Sequence, residues 1–197
     1  MPNANSEATV SVHAPSRVLC ALLISRVRIV TIEKEDTMYW RMQLHPSEPG
    51  EAVRHTVESL AAGYIGLDFA SEVGDLLEAS QQSLPENQRD YWAFAHEMAQ
   101  DDRVLIVTHH FPFALVRVAG PYNYIRVTAP ELGVWFRHFR LVEDVWYYGD
   151  FMTNAASAER LTMTDTISPL RDPTTLSYRL IERWIQARNA AARAQHA

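Results

Sequence analysis

Residues 103–127 read RVLIVTHHFPFALVRVAGPYNYIRV, two apolar runs of strand length divided by a turn. Arg103–Thr108 is a short apolar run rich in Val and Ile, of strand length, and Ala114–Ala119 is a second. His109–Pro112 between them reads as a turn, which makes the pair a β-hairpin. Phe111-Pro112-Phe113 then falls at the hairpin tip, a poor place for core rings, so the two phenylalanines call for a partner. Gly120-Pro121 reads as a break, after which Tyr122–Val127 forms a further strand with Tyr122 and Tyr124 on one face.

Upstream, Tyr39–Leu44 alternates Tyr, Arg and Gln against Trp, Met and Leu, the pattern of a half-buried strand. His45–Gly50 is a turn, and a helix from about Glu51 to Ala62 puts Val53, Val57 and Leu60 on its apolar face before Gly63 ends it. Tyr64–Leu67 is a short strand leading into Asp68. Val73–Leu84 and Asn87–Met98 read as helices, the second with Tyr91, Trp92, Phe94, Ala95 and Met98 as its apolar set. Downstream, Phe136–Val145 is a strand, and Ile167–Arg188 ends in a helix carrying Leu176, Leu180, Ile181, Trp184 and Ile185. Strands with helices between the early ones, and no internal repeat, predict an α+β domain: a curved mixed sheet or small β-barrel with packed helices. Residues 1–37 read as a partly disordered extension, 38–190 as one domain, and 191–197 as a flexible tail.

The chain of 197 residues is long enough to bury a core, and 47% hydrophobic residues with five Trp exclude wholesale disorder. One cysteine, Cys20, excludes an internal disulfide and a cysteine-built zinc site, and fits a reducing, cytoplasmic compartment. The apolar run Val18–Ile24 falls well short of the roughly 20 residues of a membrane helix. Enzyme signatures are missing: there is no Walker loop, Rossmann fingerprint, G-x-S-x-G elbow or HExxH. His109-His110 are adjacent and on a strand would face opposite sides, which disfavours shared metal ligation. A non-catalytic chain without cofactor or metal is the expectation.

Charge narrows this further. A net charge of −6 argues against an indiscriminate polyanion binder, because nonspecific affinity comes from cations that neutralise phosphates. Yet Arg103, Arg117, Arg126, Arg137 and Arg140 gather in a stretch whose one acid is Glu131 and which also holds His109, His110 and His138. That segregation predicts an electropositive face and binding that weakens steeply with salt.

An ordered set of motifs carries a resemblance. It runs from Tyr39-Trp40-Arg41-Met42 through Gly63-Tyr64-Ile65-Gly66-Leu67-Asp68 and Val73-Gly74-Asp75-Leu76. Phe94-Ala95-His96-Glu97-Met98, Asp101-Asp102-Arg103-Val104 and Leu115–Tyr124 follow, and Trp135-Phe136-Arg137-His138-Phe139-Arg140-Leu141-Val142 closes it. Across roughly 38–188 the chain resembles the EVE-like branch of the PUA superfamily, near the N-terminal reader domains of modification-dependent restriction proteins, and more distantly the YTH domains. The resemblance implies a curved sheet with a pocket that receives a flipped, often methylated base. It also implies a partner, a separate nuclease or a nucleotide-driven protein, in a restriction or defence system. The sequence departs from the pattern at Leu67, where many relatives carry an aromatic just before the aspartate.

A base reader needs flat walls, polar groups for the base edge, and cations for flanking phosphates. The candidate walls are Trp92, Phe111, Phe113, Tyr122 and Tyr124, and the candidate edge contacts are Asp68 and His45. Arg41, Arg117 and Arg126 are the candidate phosphate contacts, with DNA favoured over RNA as the ligand. The alternatives are a protein-interaction or adaptor domain with the same fold, and an RNA-binding module.

Overall fold

A computed structural model describes residues 37–44, 49–69, 71–108, 110–149 and 159–195. Among these described residues six strands form one sheet: β1 (Tyr39–Gln43), β2 (Tyr64–Leu67), β3 (Arg103–Thr108), β4 (Phe111–Tyr124), β5 (His138–Tyr147) and β6 (Ile167–Pro169). Their order is β2-β5-β4-β3-β1-β6; β1 and β3 run parallel and every other pair antiparallel. With α1 (Ala52–Ala61), α2 (Tyr91–His96) and α3 (Leu176–Gln195) this is a mixed α+β domain built on a curled sheet. No helix among the described residues is long and apolar enough to cross a membrane.

The alternation of the strands sorts the core into two layers. Val104, Ile106, Ala114, Val116 and Val118 face the larger core, which also holds Trp40, Met42 and residues of α1 and α2. Leu105, Val107 and Leu115 face the other side, where Leu180 and Ile181 of α3 cover them. β3 is therefore buried on both faces, which is why it reads as an unbroken apolar run.

Several expected elements take a different form, each for a visible reason. Gly120-Pro121 does not end a strand: β4 continues through it to Tyr124, with register shifts against β5 between Val118 and Tyr122. The β3 pairing stops at Arg117, so Pro121 lies on an open edge where its missing N–H is not needed. In the hairpin, Thr108 pairs with Phe111, so the phenylalanines lie within β4 rather than at the tip. Val73–Leu84 forms no α-helix, only a 3-10 turn at Gln81–Ser83. Gly74 has φ +73°, and the backbone N–H groups of Gly74, Leu76 and Leu77 go to the side chains of Glu72, Tyr122 and Asp75 in place of carbonyls four residues back.

Asn87–Met98 shortens to α2, preceded by a single 3-10 turn at Glu86–Gln88, while Asp90 caps the N–H groups of Thr166 and Ile167 ahead of β6. β6 itself had no signal, being three residues long and ending in proline. α3 runs on to Gln195, through residues expected to be a tail. The inward face of α1 keeps only one of its three expected residues, Leu60. His55, Thr56, Ser59 and Leu60 face inward, whereas Val53 and Val57 are 40% and 43% exposed. His55 stacks on Trp135 at 4.0 Å and Ser59 donates to the Gly133 carbonyl, so polar contacts fix the orientation. The expected extension lies, up to residue 36, outside the described residues.

Gly66 is fixed by close approach. A Cβ there would stand 2.5 Å from both the His138 carbonyl oxygen and the Phe136 Cβ. The glycine lets β2 lie against β5 and brings Asp68, just beyond β2, next to Arg137.

Candidate functional site

Along β5, His138, Arg140 and Val142 point inward at alternate positions, so two polar side chains enter an otherwise apolar layer. His138 is fully buried among rings: Phe69 edge-on at 5.1 Å, Tyr124 at 5.1 Å and Tyr122 at 6.1 Å, both near-parallel. Its Nδ1 lies 2.8 Å from the Tyr122 hydroxyl, which also accepts the Leu76 N–H at 3.1 Å. Its Nε2 is buried and has no hydrogen-bond partner among the described residues. Burial first, then the neighbouring Arg137 charge, push the imidazole down to about 4, with Glu72 and Asp75 opposing.

Arg137 fastens the rim above this cluster. Its guanidinium donates to Asp68 at 2.5 Å, to Glu72 at 2.6 Å and to the Phe69 carbonyl. Glu72 also accepts the Tyr124 hydroxyl at 2.6 Å and the Gly74 N–H at 3.1 Å, and the tyrosine bond in particular holds its carboxyl below the ordinary range. Burial raises Asp68, opposed by its bonds from Arg137 and the Phe69 N–H. Beside the rim opens a groove of about 640 Å³ lined by Glu72, Gly74, Asp75, Glu78, Tyr124 and Arg126. It presents three carboxylates, one guanidinium and one aromatic ring, and Arg126 makes no side-chain hydrogen bond or ion pair among the described residues. An arrangement of this kind accepts hydrogen bonds from amino groups, stacks a flat ring, and offers one cation to an anionic substituent.

Of the expected site residues, the structure gathers Asp68, Tyr122, Tyr124 and Arg126 at this place. Asp68 is 6% exposed and closed off by Arg137, so its carboxylate does not face the groove. Tyr122 is 8% exposed and lies behind Tyr124, not at the surface. Phe113 is a correction: at 4% exposed, with its ring edge-on to Tyr147 at 5.8 Å, it is a core residue of β4. Phe111, half-buried at the start of β4, and Trp92, stacked on His96 at 4.0 Å with its indole N–H on the Ala79 carbonyl, do not line the groove. His45 lies outside the described residues.

The cationic face needs the same correction. Arg117 is held by Asp101, Glu143 and Asp144, and Arg137 by Asp68 and Glu72. Arg103 lies over the Trp146 ring near Asp144, and Arg140 is buried. Arg41 donates to the Thr162 carbonyl from β1, three strands and ~14 Å along the sheet from β5. Sequence clustering placed Arg103, Arg117 and Arg137 close in the chain, but the acids beside them, Asp68, Glu72, Asp101, Glu143 and Asp144, all come from outside that stretch. His138, Arg137 and Glu72 went unselected; the alternation of His138 and Arg140 with Val142 was the signal available for the first of them.

The depressed His138 value has a stability consequence. Its folded value lies below the ordinary 6.5, so protons bind the unfolded chain more tightly. The contribution is complete above about pH 6.5 and is lost as pH falls through about 4, a loss of about 3 kcal/mol. Urea unfolding at pH 7 and pH 4 is expected to show that loss, reduced in His138→Phe; an equal loss in both chains would assign it to other groups.

Fold and groove together define a class: a small α+β domain with an open polar groove set against a buried ring cluster. A scan against protein-family models finds no match to the chain, and a search of curated proteins finds none either.

Proposed function

We propose that the domain is a non-catalytic reader of a single nucleobase, presented from nucleic acid and received in the groove beside Tyr124. The observation that carries the reading is the pairing of an accessible ring with acceptors and one uncommitted cation in one groove. Its volume of about 640 Å³ lies within the roughly 300–1,000 Å³ typical of small-ligand sites. Glu72, Asp75 and Glu78 supply acceptors for an exocyclic amine such as that of cytosine or adenine, and Arg126 reaches a flanking phosphate. Stacking on Tyr124 offers about 1–3 kcal/mol, comparable with the few kcal/mol needed to extrude a base. The resemblance to EVE-like domains supports a methylated base, DNA over RNA, and a separate effector in a restriction or defence system; the curled mixed sheet supports it at the level of fold class.

The test is a binding panel of DNA and RNA, unmodified or carrying 5-methylcytosine, hydroxymethylcytosine or N6-methyladenine. One modified ligand is expected to bind preferentially. Because the other candidate phosphate arginines are held within the protein, the slope of log affinity against log salt is expected near −0.7 to −0.9, the value for one phosphate. A slope near −3 would return Arg41 and Arg117 to the phosphates.

One observation favours a protein-interaction domain instead: Val53 and Val57 stand exposed one turn apart on α1, and Leu132 is 66% exposed. A panel in which no nucleic acid binds at any salt would transfer the case to that surface.

A further inference from the structure

Residues 71–80 cross the ring cluster without regular structure. Leu76 is the one fully buried side chain among them, and no backbone–backbone hydrogen bond ties the stretch to the sheet among the described residues. Side chains hold it instead. The Leu76 N–H goes to the Tyr122 hydroxyl, its carbonyl lies 2.9 Å from His96 Nε2, the Ala79 carbonyl accepts from Trp92, and Glu72 is held by Tyr124 and Arg137. The Tyr122 hydroxyl that takes the Leu76 N–H also meets His138 Nδ1, and the Nε2 of that ring is buried without a hydrogen-bond partner among the described residues.

We infer that residues 71–80 form a displaceable strap, and that Leu76 occupies the place of a planar heteroaromatic ring bearing hydrogen-bonding edge groups. The identity of that ring as a base rests on the proposed function; the mobility of the strap does not. The open groove receives the ring first, against Tyr124, and leads into that place. Displacing Leu76 vacates core volume next to the Tyr122 hydroxyl, at the ring cluster of Phe69, Tyr122, Tyr124 and His138. A ring in that place stacks as the tyrosines already stack on His138, and its edge meets the Tyr122 hydroxyl that Leu76 releases, a buried group whose lost hydrogen bond is costly. The links that release on opening are polar and rehydrate readily, so opening of the strap is separable from opening of the sheet.

Hydrogen exchange and nucleoside titration on the full chain test this. The Leu76 and Leu77 amides are expected to exchange about 100-fold faster than those of Val104–Ile106, through local opening. Glu72→Ala, at an exposed position, is expected to speed them a further ~5- to 10-fold while leaving the β3 amides unchanged. Leu76→Ala is expected to bind the preferred nucleoside about 10-fold more tightly, since the competing side chain is removed. Exchange of Leu76 at the rate of Val104–Ile106 overturns the strap. Unchanged affinity in Leu76→Ala, where the natural chain binds, overturns the place assigned to the leucine. Fast exchange with no nucleoside bound by either chain upholds the strap and removes the base reading instead.

Discussion

Arg140→Met is expected to lower the unfolding free energy by about 4 kcal/mol or more, a large part of the roughly 5–15 kcal/mol that a domain possesses. Arg140 is buried on β5 and donates to the carbonyls of Phe94, Ala95 and Gly120, with its guanidinium over the Phe94 ring at 5.6 Å. No carboxylate among the described residues hydrogen-bonds to it; its partners are main-chain groups that remain buried after the substitution. Replacing a buried ion pair with apolar residues is often harmless because both charges leave, but here the three carbonyls stay and lose their donors. Burial lowers the guanidinium to about 10, so it stays charged at neutral pH. Arg140→Lys is expected to recover only part of the loss, because one ammonium cannot span carbonyls on α2 and β4 as the planar fork does. Urea midpoints at unchanged slope measure this; a loss under 1 kcal/mol would show that the carbonyls find water.

Phe113→Ala is expected to cost about 3–5 kcal/mol of stability and to leave ligand affinity unchanged. Its ring is buried in β4 beside Tyr147, away from the groove residues. The measurement is a melting curve paired with a titration. A variant that keeps its stability and loses binding would return Phe113 to the site.

The strands were legible where alternation or a continuous apolar run decided the matter: Tyr39–Gln43, Tyr64–Leu67 and Arg103–Thr108 fall where their patterns put them. Reading failed where a distant side chain took over the work of the backbone. Nothing local in Val73–Leu84 reveals that the Tyr122 hydroxyl accepts the N–H of Leu76, 46 residues away, and that contact takes the place of a helical bond. α1 shows the same limit, because His55 is drawn inward by Trp135, which no periodicity within the helix reports. At the site, Tyr122, Tyr124 and Asp68 were legible as a set, but which of them faces solvent was not. Arg137 decides that: it covers Asp68 and ties down Glu72, leaving Tyr124 at the groove and Tyr122 behind it.

If Tyr124 stacks a ligand ring in the groove, Tyr124→Ala removes that stacking wall and little else. Tyr124 is half-buried, lines the groove, and gives one hydroxyl bond to Glu72, so its removal is expected to change the melting temperature little. Affinity for the preferred modified base is expected to fall roughly 5- to 150-fold, the loss of about 1–3 kcal/mol of stacking. Tyr124→Phe should retain most of it, since the ring remains. Affinity in Tyr124→Ala equal to that of the natural chain, at equal stability, would contradict the account.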